Sequence, residues 1–260
     1  MGFCHITHRA GRAIIQLFGE PVMPGVIKKE AASSHHHALD QSAHEEAVSD
    51  RFQSNATQNA FHRNGVNRII EFLAETTRLI SLFDIQQIDR ARTMLLECYR
   101  RKGRIYTAGN GGSASTAQHF ACDLSKYVIP DGQRPYDTRC LTDNVALYTA
   151  WANDAERQDV YVNMLRGLLT EADLLLVISV HGGTGFSADL VRALRYSRRI
   201  GAPSIALVGF DGGVLHQEAT CSILVPVQST PQTEALHLVI EHLLMQLLRE
   251  DLAKEAGGGG

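Results

Sequence analysis

Two periods govern where apolar residues fall along this chain. From about Gln58, the positions Val66, Ile69, Ile70, Leu73, Thr77 and Ile80 recur at the spacing of a helix face, which predicts an amphipathic helix from about Gln58 to Leu82. A second helix follows Asp84, a residue suited to N-capping. It carries Ile85, Ile88, Ala91, Met94, Leu95 and Cys98 on its apolar side and ends at Gly103. Beyond that point short apolar runs alternate with helical stretches. The runs are Arg104 to Ala108, Thr138 to Leu141, Asp173 to Ser179, Pro203 to Gly209 and Ile223 to Val227. Helices are expected from Ala114 to about Lys126, from Val145 to Trp151 with Thr142 or Asp143 as its cap, from Asp159 to Leu169, from Ala188 to Ile200, and from Thr230 to about Lys254. The unbroken apolar run before Ser179 marks a central parallel strand covered on both faces, and Pro226 suits an edge position or a strand end. Strands that alternate with helices predict an α/β fold, a doubly wound parallel sheet flanked by helices, with the helical pair ahead of it. Two long helices before the first strand also suggest an oligomeric helix bundle.

The first 57 residues break this pattern. They lack a sustained period and are rich in Ala, Ser, His and Gln, so residues 1–57 are expected to be a disordered or weakly structured extension, 58–254 the folded domain, and 255–260 a flexible tail. The tract His35-His36-His37 lies in the extension, where a solvated tail is the expected reading because a flexible tract lacks the fixed geometry of a site. The chain of 260 residues is long enough for a full core, and its formal net charge of -3 gives no electrostatic argument for nucleic acid as partner. Five widely spaced cysteines without a CxxC pair point to a reducing compartment, hence the cytoplasm, and away from a disulfide framework or zinc ribbon. No apolar run approaches the roughly 20 residues that cross a bilayer, so no membrane partner is expected.

Candidate chemistry gathers at the turns. Gly109-Asn110-Gly111-Gly112-Ser113 joins the first strand directly to a helix, which leaves backbone N–H groups at the positive end of the helix dipole and makes a seat for an anion. It is neither a Walker loop nor GxGxxG. A second loop, Ser179 to Ser187, is also rich in hydroxyls and glycines and also follows a strand. Two such loops in one sheet point to a phosphorylated ligand held by its phosphate across the strand ends. His119 and Asp123 lie at i, i+4 on one helix face, and the last helix carries Glu234, His237, Glu241 and His242. Taken alone, His119 reads most simply as a histidine satisfied on a helix face. Together His119, Asp123, Glu234 and His242 suit either a mixed N/O metal site or an acid/base pair.

Gly109 to Ser113 followed by Gln118-His119-Phe120, then Leu141-Thr142-Asp143, Ala152-Asn153-Asp154, the serine/glycine loop and Asp211-Gly212-Gly213, resembles the sugar isomerase (SIS) domain, and within it the phosphoheptose isomerases. The resemblance runs from about Gln58 to Asp251 and is specific as a set. It implies a homotetramer with active sites between subunits, a sugar phosphate as the small-molecule partner, and often a zinc ion. By position it implies sugar contacts from Asn110, Gly111, Gly112, Ser113 and Glu234, phosphate contacts from Ser179, Thr184 and Ser187, and a pocket lined by Asn153 and Asp154. His119, Asp123, Glu234 and His242 would hold the metal, with Asp123 and His242 as the catalytic pair.

The chain departs from the family at three places. Asp123 stands where the family commonly has Glu, which shortens the carboxylate's reach by about 1.5 Å, and a misplacement of about 1 Å can cost on the order of 100-fold in rate. Glu234 stands where Gln is common, and the phosphate loop reads His181-Gly182-Gly183-Thr184-Gly185-Phe186-Ser187 rather than a shorter Thr-Ser-Gly-Asn-Ser form. The implied reaction is aldose-ketose isomerisation through an enediol, converting sedoheptulose 7-phosphate to D-glycero-D-manno-heptose 7-phosphate. The competing reading is a non-catalytic SIS module that binds a sugar phosphate or a protein such as the bacterial replication initiator.

Overall fold

The computed structural model describes residues 64–257, so the readings made for residues 1–57 and for the end of the tail lie outside the described residues. The chain divides into two compact units between Glu75 and Thr76, inside the first described helix, α1, at 64–80. The expected turn then brings the chain to α2 (Ile85–Arg100). Asp84 caps α2 as expected, its carboxylate accepting from the backbone N–H groups of Gln86 and Gln87.

The second unit continues with β1 (Arg104–Gly109), α3 (Gly112–Ser125), β2 (Asp137–Cys140), α4 (Val145–Asp154), a 3-10 turn (Arg157–Asp159), α5 (Val160–Leu165), β3 (Leu174–Ser179), α6 (Ala188–Ile200), β4 (Ser204–Gly209), α7 (Gly213–Glu218), β5 (Cys221–Val225) and α8 (Thr230–Gly257). All four strand pairings are parallel and the order is β2-β1-β3-β4-β5. Three boundaries differ from expectation. Asn144, rather than Thr142 or Asp143, caps α4, because its side-chain oxygen reaches the N–H of Leu147 at 3.0 Å. The helix expected to reach Leu169 stops at Leu165, ahead of Gly167 at φ 74. Asp211 to Gly213 is more than a turn, since it leads into the short α7.

Alternation along β3 shows how the core is built. Leu174, Leu176 and Ile178 enter one apolar layer with Ile105, Phe120, Leu124, Ile240 and Leu244, against α2, α3 and α8. Leu175 and Val177 enter the opposite layer with Tyr106, Val160, Leu165, Leu190 and Leu215, against α5, α6 and α7. Each such fully buried side chain contributes about 1.5–3 kcal/mol. β5 is an edge strand and ends before Pro226, whose missing N–H costs the ladder nothing there. Among the described residues no helix is long and apolar enough to cross a membrane.

The strand order fixes where a ligand belongs. The chain leaves β1 toward β2 on one side and reaches β3 on the other, so the sheet reverses its winding between β1 and β3. A crevice opens outside the carboxyl ends of these strands. The two hydroxyl- and glycine-rich loops follow those two strands.

Candidate active site

At the switch point the two loops are bonded to each other. Asn110, just past β1, donates through Nδ2 to both carboxylate oxygens of Asp189 (3.0 and 3.1 Å) and to Oγ of Ser187 (3.3 Å), at the start of α6. Its Oδ1 accepts from the phenol of Tyr161 (3.2 Å), which also donates to the Gly109 carbonyl at 2.7 Å. Burial holds the Tyr161 phenol far above its ordinary pKa, so it remains a donor. Asp189 is itself buried and also accepts from the N–H of Leu190. The side chain of Asn110 therefore ties β1 to α6 as well as facing the crevice.

A cavity of about 620 Å³ opens beside this network, lined by Asn110, Glu156, Arg157, Gln158, Phe186, Ser187, Ala188 and Asp189. That volume is in the usual range for small-ligand pockets, about 300–1,000 Å³. Ser187 sits at its edge in a left-handed conformation (φ 52, ψ 41) and makes no side-chain cap to α6, which leaves its hydroxyl free of that task. Thr184 is exposed and Ser179 is buried at the end of β3. The loop between them packs on the turn after β4: the N–H of Leu215 donates to the Gly182 carbonyl at 2.8 Å, and a Cβ on Gly182 would fall 1.9 Å from the Gly212 oxygen. Only glycine fits at position 182, where φ is also positive.

Asn153 and Asp154 close α4, are exposed, and bond to each other at 2.8 Å. The cavity is lined by the residues just after them, Arg157 above all, which brings a positive charge. Gly111 is the N-cap position of α3 at φ 57, and Ser113 is buried in its first turn. No side chain caps α3. The carboxylate of Glu234, reaching over from α8, lies against Gly112, where an added Cβ would be 2.3 Å from Oε1. Glu234 thus faces the glycine loop at the positive end of the α3 dipole.

Two turns further along α3, a cluster of titratable groups forms where α3 packs on α8. Nε2 of His119 is 3.5 Å from Nε2 of His242 and 3.6 Å from Oδ2 of Asp123, and Nε2 of His242 is 3.9 Å from the same oxygen. The fourth member is Glu241, and one ligand atom from each of the four lies within 4.8 Å of the others. Glu234 is not among them. His119 and His242 are about half exposed and Asp123 is mostly covered. Glu241 is wholly buried and neither of its oxygens has a hydrogen-bond partner. Burial, reinforced by the Asp123 charge, pushes its pKa up to about 8.

Two imidazoles and two carboxylates are borderline-to-hard donors of the kind that divalent zinc takes. Donors around a tetrahedral zinc ion stand about 3.3 Å apart, so this cluster can hold a metal ion with little adjustment. Behind Glu241, at i-4 and i-8 on α8, His237 and Thr233 are also buried without hydrogen-bond partners. Burial lowers the His237 pKa to about 4, with the Val208 backbone acting weakly the other way.

A family model described as the SIS domain matches residues 71–209. The chain belongs to the SIS domain family. Phosphoheptose isomerase from Aliarcobacter butzleri is 30% identical over 187 residues, which cover 71% of this chain and 97% of that protein. The lincomycin biosynthesis protein LmbN of Streptomyces lincolnensis is 36% identical over 186 residues, covering 69% and 68%. Among solved structures, phosphoheptose isomerase GmhA from Neisseria gonorrhoeae superposes with a TM-score of 0.63 at 26% identity, covering 71% of this chain and 98% of that one. In this SIS domain the parallel sheet and flanking helices are those of the family, and relatives at about 30% identity support sugar-phosphate isomerase activity.

Tyr161, Asp189, Arg157 and Glu241 are among the residues that sequence reasoning did not place in the site. Glu241 had a visible signal: an acid four residues from His237 on the helix face that also carries Leu244 and Leu248, where an amphipathic helix should be apolar.

Proposed function

We propose that this SIS domain is an aldose-ketose isomerase acting on a seven-carbon sugar phosphate, with sedoheptulose 7-phosphate as substrate and D-glycero-D-manno-heptose 7-phosphate as product. One observation carries the reading. α3 starts in the loop that bonds to the cavity and, seven residues or about 10 Å further along its axis, presents His119 beside Asp123 and His242. A sugar whose phosphate sits at Ser187 and the α6 N-terminus, near Arg157, would extend past Asn110 along the start of α3, with its carbonyl end toward that cluster. Names of relatives such as phosphoheptose isomerase support the seven-carbon choice.

In the mechanism, Ser179, Thr184 and Ser187 hold the phosphate while Asn110, Gly111, Gly112, Ser113 and Glu234 meet the sugar. Asp123 and His242 are the acid/base pair. One takes the proton from the carbon beside the carbonyl and returns it to the neighbouring carbon, and the other carries the hydroxyl proton, through an enediol. A divalent cation, zinc being the expected one, would be held by His119, Asp123 and His242; ligation makes Asp123 and His242 poorer bases, leaving the second oxygen of the Asp123 carboxylate to take the proton, and the ion's chemistry when bound is to polarise the carbonyl and favour the enediolate. Assembly as a homotetramer is part of the proposal. Ile80, Leu82 and Ile85, at the junction of α1 and α2, are exposed apolar residues that a second copy would cover. Cys98, Cys122, Cys140 and Cys221 are free thiols, which supports the cytoplasm as the compartment.

The test is incubation of the zinc-supplemented protein with sedoheptulose 7-phosphate in deuterated water. Deuterium at the carbon beside the carbonyl, in product or recovered substrate, is the expected result. Neither label nor product would overturn the reading and favour a module that binds a sugar phosphate or a protein without turning anything over.

A further inference from the structure

The carboxylate that completes the cluster belongs to a residue that neither fold nor function so far requires. We propose that Glu241, and not Glu234, supplies the fourth ligand to a divalent cation held with His119, Asp123 and His242. This rests on the metal site of the proposed function and gives it a fourth ligand.

Three observations carry it. Glu241 has no exposed surface and both of its oxygens lack hydrogen-bond partners, so its polar atoms are turned away from water with nothing among the described residues to replace it. One of those oxygens lies within 4.8 Å of the ligand atoms of His119, Asp123 and His242, so the carboxylate is aimed into a ready set of donors. Glu234, two turns earlier on the same helix, has its carboxylate at Gly112 instead, on the glycine loop.

The neighbours on α8 do not offer another explanation. Thr233 and His237 continue the row on Glu241's buried face, and their own polar atoms are unpaired. A bound dication satisfies Glu241 and balances the two carboxylates of the set in one step. Without one, Glu241 is left buried beside Asp123 with no hydrogen bond to its carboxyl oxygens. The ligand set is therefore two imidazoles and two carboxylates, with Glu234 left free for the sugar.

The experiment compares full-length wild type, E241Q, E241L, E234Q and H119A after stripping with a chelator. Zinc affinity is measured by competition with a chromogenic chelator, and the environment of cobalt(II) by its visible d–d absorption, with no sugar present. The His35-His36-His37 tract is common to all five proteins, so differences among them read the cluster alone. E241Q and E241L should bind zinc about 10- to 100-fold more weakly than wild type and change the cobalt band, as H119A does, while E234Q stays within about twofold. Metal-free E241Q should melt at or above the temperature of metal-free wild type, because an unpaired buried carboxyl has been replaced by a neutral group of the same shape.

Unchanged affinity in E241Q, an equal loss in E234Q, or a lower melting temperature for metal-free E241Q would overturn the proposal. Since no sugar enters these measurements, absence of isomerisation would count against the function alone, and unchanged zinc binding in E241Q against the ligand assignment alone.

Discussion

The two sides of the crevice treat their buried polar groups in opposite ways. At the start of α6, Asn110, Asp189, Tyr161 and the backbone of Leu190 are bonded to one another. Where α8 is buried against α3 and the sheet, the side-chain polar atoms of Thr233, His237 and Glu241 are buried without a hydrogen bond of good geometry among the described residues. A satisfied network rigidifies what it joins, and here it sets the spacing of the β1 and β3 loops. An unsatisfied group carries an energetic penalty that persists in a native protein only where something else relieves it or where strain serves the site. The first region is built to position, and the second is built to receive.

The largest expected effect is on the receiving side. Replacing His119 or His242 with Ala should lower the isomerisation rate by about 10²- to 10⁴-fold while leaving the stability of the metal-free protein nearly unchanged, since both rings are about half exposed. Initial rates with zinc and urea unfolding after chelation check both halves of that statement, and a variant that keeps its rate would remove the cluster from the chemistry.

Next comes acid sensitivity. With a folded pKa of about 4 against about 6.5 unfolded, His237 takes up a proton in the unfolded chain before the folded one, so folding stability should fall as pH drops from about 6.5 to about 4. The loss attached to this residue is about 3 kcal/mol at the lower end. Urea midpoints measured across that range should show the loss in the parent protein and show it much reduced in H237L. Parallel curves for the two proteins would mean that the ring is paired after all.

On the positioning side, Asn110→Ala leaves Asp189 with its Leu190 N–H and without the amide that engages both of its oxygens, and should cost about 1–3 kcal/mol of stability. Differential scanning calorimetry would detect it, and a variant as stable as the parent would show that water replaces the amide without loss.

The smallest effect is at Ser187. Its positive φ suits glycine better, so Ser187→Gly should raise stability by about 1 kcal/mol and weaken sugar-phosphate binding by removing the hydroxyl. Tighter binding by the variant would take Ser187 out of the phosphate site.

Much of this was legible from short-range patterns. Asp84 was readable as a cap because the capping bond spans two or three residues, and β3 was readable as central because Leu174 to Ile178 are apolar without a break. His119 and Asp123 pair at i, i+4 whatever surrounds them. The α4 cap slipped by a residue or two because Thr142, Asp143 and Asn144 all favour that role and only the turn's path chooses among them. Gly167 ended α5 early for a reason that periodicity does not see.

Glu234 and Glu241 are the sharper case. Both are acids on α8, a whole number of near-turns apart, and the sequence places them close in angle on the helix. Which one meets the histidines depends on how far α8 slides along α3 and how it is rotated against it. Leu236, Ile240, Leu244 and the apolar layer beneath them set that placement. The sequence by itself determined the strands and helices, their alternating order, and the local pair His119 and Asp123, because each is written in patterns a few residues long. Only the tertiary structure decided that Asn110 is spent on Asp189, that Arg157 lines the cavity, and that Glu241 completes the cluster. Those are distances between elements, and packing fixes them.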